Sequence, residues 1–190
     1  MISRNNINHD SESLFLVVLG GRAKNSHIEL HDVRWVVGKK IEDTFHQLRS
    51  QWFGRENGLH IDSYVKIRFV DGYIVNLKPE KIRNKEKTEN KLWFINIGGY
   101  DANKLLEEHQ FGLIVAGSAY IAKKKAKKLW LKDKLQKHND DTAYLSEVKG
   151  VDNCHSISRI NTWSVELIPD RLGRSQSFIP DWYGYRRIDQ

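Results

Sequence analysis

The chain has 190 residues, 39% of them hydrophobic and 29% charged, with three prolines and a formal net charge of +7. That composition supports a packed core in one large or two small domains and excludes disordered and collagen-like classes. A single cysteine, Cys154, excludes an internal disulfide framework and a multi-cysteine zinc site, and the excess positive charge is spread along the chain instead of forming one basic domain.

Residues 1–13 are polar and lack the apolar stretch of a secretory signal, and no apolar run approaches the ~20 residues needed to cross a bilayer. A cytoplasmic protein without a membrane partner is expected. Residues 14–19, Leu-Phe-Leu-Val-Val-Leu, form a short apolar run closed by Gly20-Gly21, the pattern of a buried strand. Residues 33–37 read as a second strand. Ile41, Phe45, Leu48 and Trp52 then recur at i, i+4, i+7 and i+11, which places them on one stripe of a helix ending near Gly54. Residues 61–70 and 73–77 flank Asp71-Gly72, a favoured two-residue hairpin turn. A charged stretch without apolar pattern follows.

From Leu92 the pattern starts again. A shift of 78 residues carries Leu14 to Gly21 onto Leu92 to Gly99, Glu29 and His31 onto Glu107 and His109, Trp52 onto Trp130, and His60 with Asp62 onto His138 with Asp140. Residues 92–97 and 111–115 repeat the strands, and Ala119, Ala122, Ala126 and Leu129 repeat the helix stripe. Val70-Asp71 matches Val151-Asp152 only at a shift of 81, so a three-residue insertion is predicted between Asp140 and Val151. Residues 144–151 and 156–160 would then form the second hairpin. An ordered series of matches of this kind is the mark of a tandem repeat.

The expected fold class is α+β: a duplicated β-β-α-β-β unit giving two pseudo-symmetric halves, each with a helix on a mostly antiparallel sheet. The layout is a polar extension at 1–13, a first repeat at 14–78, a charged connection at 79–91, a second repeat at 92–168 and an aromatic tail at 169–190. The tail has no counterpart after the first repeat. It is expected to pack back as a closing strand; docking of a partner through Trp182 and Tyr185 is the sharper alternative. A monomer with internal pseudo-symmetry and a homodimer both remain open.

Several of these segments resemble a known family. Leu-Gly-Gly-Arg at 19–22, Glu29-Leu-His31-Asp32, His60-Ile-Asp62 and Val70-Asp-Gly-Tyr73 look like the bacterial family catalogued as domain of unknown function 1543. So do Ile-Gly-Gly-Tyr at 97–100 and Glu107-Glu-His109. The resemblance runs from about residue 14 to residue 167 and implies the duplicated layout; it implies no activity and no catalytic residues. The second copy departs from it at Asn139, where the first has Ile61.

The candidate site follows from spacing. Glu29 and His31 are two apart, as are His60 and Asp62, so on extended chain each pair points to one side of its strand, with His27 able to lengthen the first row. Side by side, the two strands would gather Glu, His, His and Asp, a donor set for a divalent metal such as zinc, manganese or iron. Glu107, His109, His138 and Asp140 would do the same in the second copy. The quartet could also work as acid and base in hydrolysis, or simply tie strand ends together by hydrogen bonds. Gly20, Gly21, Gly98 and Gly99 are candidate ligand contacts through close backbone approach, with a turn or bulge as the plainer alternative.

Lysines crowd residues 123–137. Lys124, Lys125, Lys128 and Lys132 are candidate polyanion contacts, although a solvated lysine-rich face is the default for such a run. Three functions are therefore in view. The first is a module binding a small ligand or divalent metal, the second a metal-dependent hydrolase using the same residues, and the third a protein that binds nucleic acid or another polyanion.

Overall fold

The computed structural model describes residues 11–79, 89–132, 136–138, 154–157 and 159–190. They form two compact units, one combining the chain up to Ile67 with Phe178–Gln190 and the other covering Arg68–Ser177. Among the described residues no helix is long and apolar enough to cross a membrane.

In the first unit, strands β1 (Ser13–Gly21) and β2 (Leu30–Gly38) are followed by a 3-10 turn (Ile41–Thr44), helix α1 (Phe45–Gln51) and strand β3 (His60–Ile67). The tail supplies a last strand, β12 (Trp182–Arg187), and the antiparallel sheet has the order β12-β3-β1-β2. β1 is central, and Leu14, Phe15, Leu16, Val17 and Leu19 are all buried, which is why its sequence is a continuous apolar run instead of an alternating one. Ile41, Leu48 and Trp52 bury the predicted helix stripe against Phe15, Val17, Leu19, Val36 and Ile61, with Phe45 at the edge of this core. A side chain bonds to the backbone at each end of this helical stretch. Asp43 accepts from the Lys40 backbone N–H at 3.0 Å, and Arg34 Nη2 donates to the Gln51 carbonyl at 3.2 Å.

The second unit contains β4 (Phe69–Val70), β5 (Tyr73–Pro79), β6 (Lys91–Tyr100), β7 (Glu108–Ala116), helix α2 (Ala119–Leu129), β8 (Gln136–His138), β9 (Cys154–Ser156), β10 (Arg159–Ile160) and β11 (Trp163–Pro169). β6 pairs with β7 on one side and with β8 and β9 on the other. Ser118 caps α2 by accepting from the Ile121 N–H, and Ala122 and Ala126 are fully buried under the helix. Leu129, assigned to this stripe by periodicity, is exposed; Trp130 and Leu131 pack on the core in its place.

The register of the strands demonstrates the duplication. β1 pairs with β2 as Leu14↔Val37 through Gly20↔His31, and β6 pairs with β7 as Leu92↔Val115 through Gly98↔His109, every partner shifted by 78. Gly20↔His60 likewise becomes Gly98↔His138. Beyond that point the predicted three-residue insertion is wrong. Tyr64↔Val17 corresponds to Cys154↔Ile95, Phe69–Val70 to Arg159–Ile160, and Tyr73–Pro79 to Trp163–Pro169, all at a shift of 90. The second copy is therefore twelve residues longer between His138 and Cys154. Its hairpin is β10–β11, not 144–151 with 156–160. Val151-Asp152 imitated Val70-Asp71, whereas the true counterpart of Asp71-Gly72 is Asn161-Thr162, with Asn161 at φ 53° and Asp71 at φ 49°. Asparagine tolerates the left-handed region, so the turn survives without its glycine signature. Residues 144–151 lie outside the described residues, as do most of 79–91 and residues 1–10.

The two hairpins share one antiparallel sheet, β10-β11-β5-β4, through β5 and β11. Asn76 faces Glu166, its own repeat equivalent, so the local two-fold axis passes between them. Burial pushes the Glu166 carboxyl up, but hydrogen bonds from Lys78 Nζ at 2.6 Å and Asn76 Nδ2 at 3.0 Å outweigh this and hold it below the ordinary glutamate value. A carboxyl depressed in the folded state stabilises fully above its unfolded value of ~4.3, and that stability is lost as pH falls. In urea titrations from about pH 6 to pH 3, wild type should therefore lose stability faster than Glu166→Gln.

The tail closes the first unit as a strand. Ile188 is 2% exposed, its N–H donates to the Leu59 carbonyl, and its own carbonyl accepts from Arg49 Nη1 at 2.7 Å. Ile188→Ala should cost about 2–5 kcal/mol in urea unfolding. A tail that merely rested on the surface would give almost no change.

Candidate functional site

The site is built around a missing side chain. Gly20 lies in the central strand directly opposite His31 on β2 and His60 on β3, so the side chains of all three positions stand on one face of the sheet. A Cβ at Gly20 would lie 2.5 Å from His60 Nε2, 2.9 Å from Cε1 and 3.0 Å from Asp62 Oδ2. Glycine leaves the notch into which the buried imidazole leans. Gly21 does the same for the helix tryptophan, since its Cβ would lie 2.8 Å from Trp52 Cζ2. Both glycines are regular strand residues and neither has a positive φ, so the turn or bulge expected at this pair is corrected: close approach is what excludes larger residues.

The bulge lies across the sheet. β1 pairs Leu19↔Ile61 and then Val18↔Ser63, which leaves Asp62 as an extra residue in β3. On the other side β12 pairs Arg186↔Ile61 and Tyr183↔Ser63, so Gly184 and Tyr185 face Asp62 alone. Asp62 stands two residues after His60, and Tyr185 two before Arg187, the partner of His60, so alternation places both on the His60 face, and the bulge keeps Asp62 there while the pairing passes on to Ser63. The Tyr185 ring lies 4.0 Å from the His60 ring at 34°.

Glu29, His31, Asp62 and His60 form a closed ring of alternating carboxylates and imidazoles. Asp62 reaches His31 Nε2 with Oδ2 at 3.2 Å and His60 Nε2 with Oδ1 at 3.2 Å. Glu29 reaches His60 Nε2 with Oε1 at 3.3 Å and His31 Nε2 with Oε2 at 4.0 Å. His60 is 1% exposed, whereas Glu29 and His31 open toward solvent. The Nδ1 of His60 is 2.8 Å from the Gly58 carbonyl, which can only accept, so Nδ1 carries a hydrogen. Nε2 consequently shares a proton with the carboxyl groups, as donor or as acceptor, or presents a lone pair to two anionic oxygens. The last state is unfavourable unless a cation stands between them.

Sequence reasoning missed Tyr185 as part of this site, because the tail carries no register signal, and missed the Gly58 carbonyl, which has no side-chain signature. His27 sits in the exposed loop before β2, where its carbonyl accepts from Arg22 Nη1.

The second copy is altered. His109 Nε2 lies 3.6 Å from Glu107 Oε2, and Tyr100 donates to the same oxygen at 3.4 Å. Asn96 replaces Val18, and its Nδ2 donates to His109 Nδ1 at 3.2 Å. β8 places His138 opposite Gly98, the position corresponding to His60; its side chain and all of Asp140 lie outside the described residues. Lys124, Lys128 and Lys132 are exposed on or just after α2, while Lys125 donates to the Val115 carbonyl at 3.1 Å and approaches Asp71.

The sequence pattern of the family described as Domain of Unknown Function (DUF1543) matches residues 26–77 and 104–167. The chain belongs to this family. The two matched segments begin 78 residues apart and end 90 apart, the same pair of shifts that the strand registers give. Among solved structures, the chain is similar to protein Il1583 from Idiomarina loihiensis, with 32% identity and a TM-score of 0.68 over 94% of this chain and 98% of that one. No curated protein matches it. For this DUF1543 chain the notch makes a direct demand: Gly20→Ala should destabilise by about 1–3 kcal/mol in urea unfolding and shift the His60 imidazole resonances. An unchanged midpoint would mean that the close approach is not required.

Proposed function

We propose that the first repeat is a cation-binding module in which Glu29, His31, His60 and Asp62 hold a divalent metal ion. The observation that carries this reading is the buried Nε2 of His60, aimed at two carboxylates while Nδ1 is committed to the Gly58 carbonyl. A carbonyl on the far nitrogen fixes the tautomer and strengthens the near nitrogen as a ligand, the usual outer support of a metal-bound histidine.

Spacing supports the same reading. Around an ion with bonds of ~2.0–2.2 Å, neighbouring ligand atoms stand about 3–3.5 Å apart. Three of the four ring contacts, at 3.2, 3.2 and 3.3 Å, fall in that range. The side chains as placed bond one another, and among the described residues no group of three or more His, Cys, Asp or Glu is already spread to hold an ion. Loading therefore needs the ring to open. Glu29 and His31, the two exposed members, are the ones free to swing outward, and the ion replaces the shared proton on His60. The two-nitrogen, two-oxygen set suits zinc, manganese or iron. Metal-dependent hydrolysis with the same residues is the second reading, favoured by the solvent-facing side of the ring, and it requires turnover in the loaded protein.

Elemental analysis of protein purified without chelator, followed by equilibrium dialysis against zinc and manganese, tests the proposal. About one ion per first repeat is expected, with affinity lowered at least tenfold by His60→Ala and by the surface substitution His31→Ala. Binding unaffected by His31→Ala, or no ion in wild type, would sink it.

A further inference from the structure

Duplication supplies an internal control on the second unit's helix. α2 and the stretch 41–51 occupy equivalent positions, and their inward residues serve the same purpose: Thr44 and Leu48 are buried in one copy, Ala122 and Ala126 in the other. Outward they differ. The first copy carries Glu42, Asp43, His46, Arg49 and Ser50 and the second Tyr120, Ile121, Lys124, Lys127 and Lys128, while Gln47 and Lys125 both bond back to the equivalent strand carbonyls of Val37 and Val115. The fold therefore does not need lysines on this face. α2 holds five lysines and no acid, so like charges sit at i, i+3 and i, i+4 with nothing to offset them inside the helix. The helix dipole favours Lys127 and Lys128 in the last turn but gives no reason for Lys124.

We propose that the exposed face of α2 binds the phosphate backbone of single-stranded nucleic acid. Tyr120, Lys124 and Lys128 follow one another at i, i+4 and i+8, with Lys127 beside them, and all four are exposed. Their spacing of ~6 Å per step along the axis presents a line of cations headed by an aromatic ring. That combination tracks phosphates and stacks a base without reading sequence. A membrane surface is the weaker fit, because Ala122 and Ala126 are buried against the sheet and the exposed aliphatic residues of the helix, Ile121 and Leu129, are eight apart and form no continuous stripe to enter a bilayer. Lys125 is excluded from the contact row by its bonds to Val115 and Asp71.

The test is fluorescence anisotropy of a labelled oligothymidine of about 20 nucleotides against the full chain, across a salt series. Three lysine contacts predict a log–log salt slope near −2, hence roughly 15-fold weaker binding from 50 to 200 mM salt. Lys124→Glu with Lys128→Glu should reduce affinity at least tenfold, and Lys124→Gln with Lys128→Gln should reduce it less. Tyr120→Ala should weaken binding about fivefold or more with the slope unchanged. Circular dichroism melts matching wild type show that these surface variants fold. The proposal is overturned by no binding at 50 mM salt, by binding indifferent to the lysine substitutions, or by capture on anionic phospholipid vesicles without oligonucleotide binding.

Discussion

The approach of the His60 ring to the backbone of Gly20 is the constraint on which the rest of the candidate site depends. A strand at the centre of a sheet, buried on both faces, normally fills every position with a side chain. Here Gly20 leaves its position open, and the His60 ring comes close over it with 1% of its area exposed. Burial forces its polar atoms to find partners, because an unsatisfied imidazole nitrogen in such a place costs about 1–3 kcal/mol. Gly58 answers for one nitrogen. Glu29 and Asp62 answer for the other, and their two negative charges create the demand for a proton or a cation. Asp62 and Tyr185 take part because each stands two residues along, from His60 and from its partner Arg187, on the same face of the sheet.

Much of this was legible in the sequence, for definable reasons. The shift of 78 was visible because the central strand and the Glu-x-His row contain the residues least free to vary: apolar runs, close-approach glycines and paired polar side chains. The helix stripe was visible because 3.6-residue periodicity needs no partner to be seen. What the sequence concealed lies wherever the deciding contact is remote. A hairpin turn kept its geometry while Asp-Gly became Asn-Thr, so the second hairpin was misplaced and the insertion underestimated. Gly20-Gly21 looked like a turn because the rings that crowd it, His60 and Trp52, lie 40 and 31 residues further along the chain. Tyr185 belongs to the site through a pairing between β12 and β3 that no local pattern announces.

The two copies share a skeleton and have diverged on it. Strand register and the glycine opposite two histidines are held in common, while Val18 against Asn96 and the outward faces of the two helices are not. Asn96 gives His109 a hydrogen-bond partner that Val18 cannot give its equivalent, His31: the amide Nδ2 lies 3.2 Å from His109 Nδ1.

The central claim is that His60 Nε2 is a proton-or-metal position while Nδ1 stays fixed. Long-range proton–nitrogen NMR on nitrogen-15-labelled protein during a zinc titration reads both nitrogens separately. The account predicts that Nδ1 keeps the signature of a hydrogen-bearing nitrogen throughout, while Nε2 moves to a metal-bound position at about one equivalent of zinc. A His60 Nε2 resonance that stays unmoved at saturating zinc would contradict it.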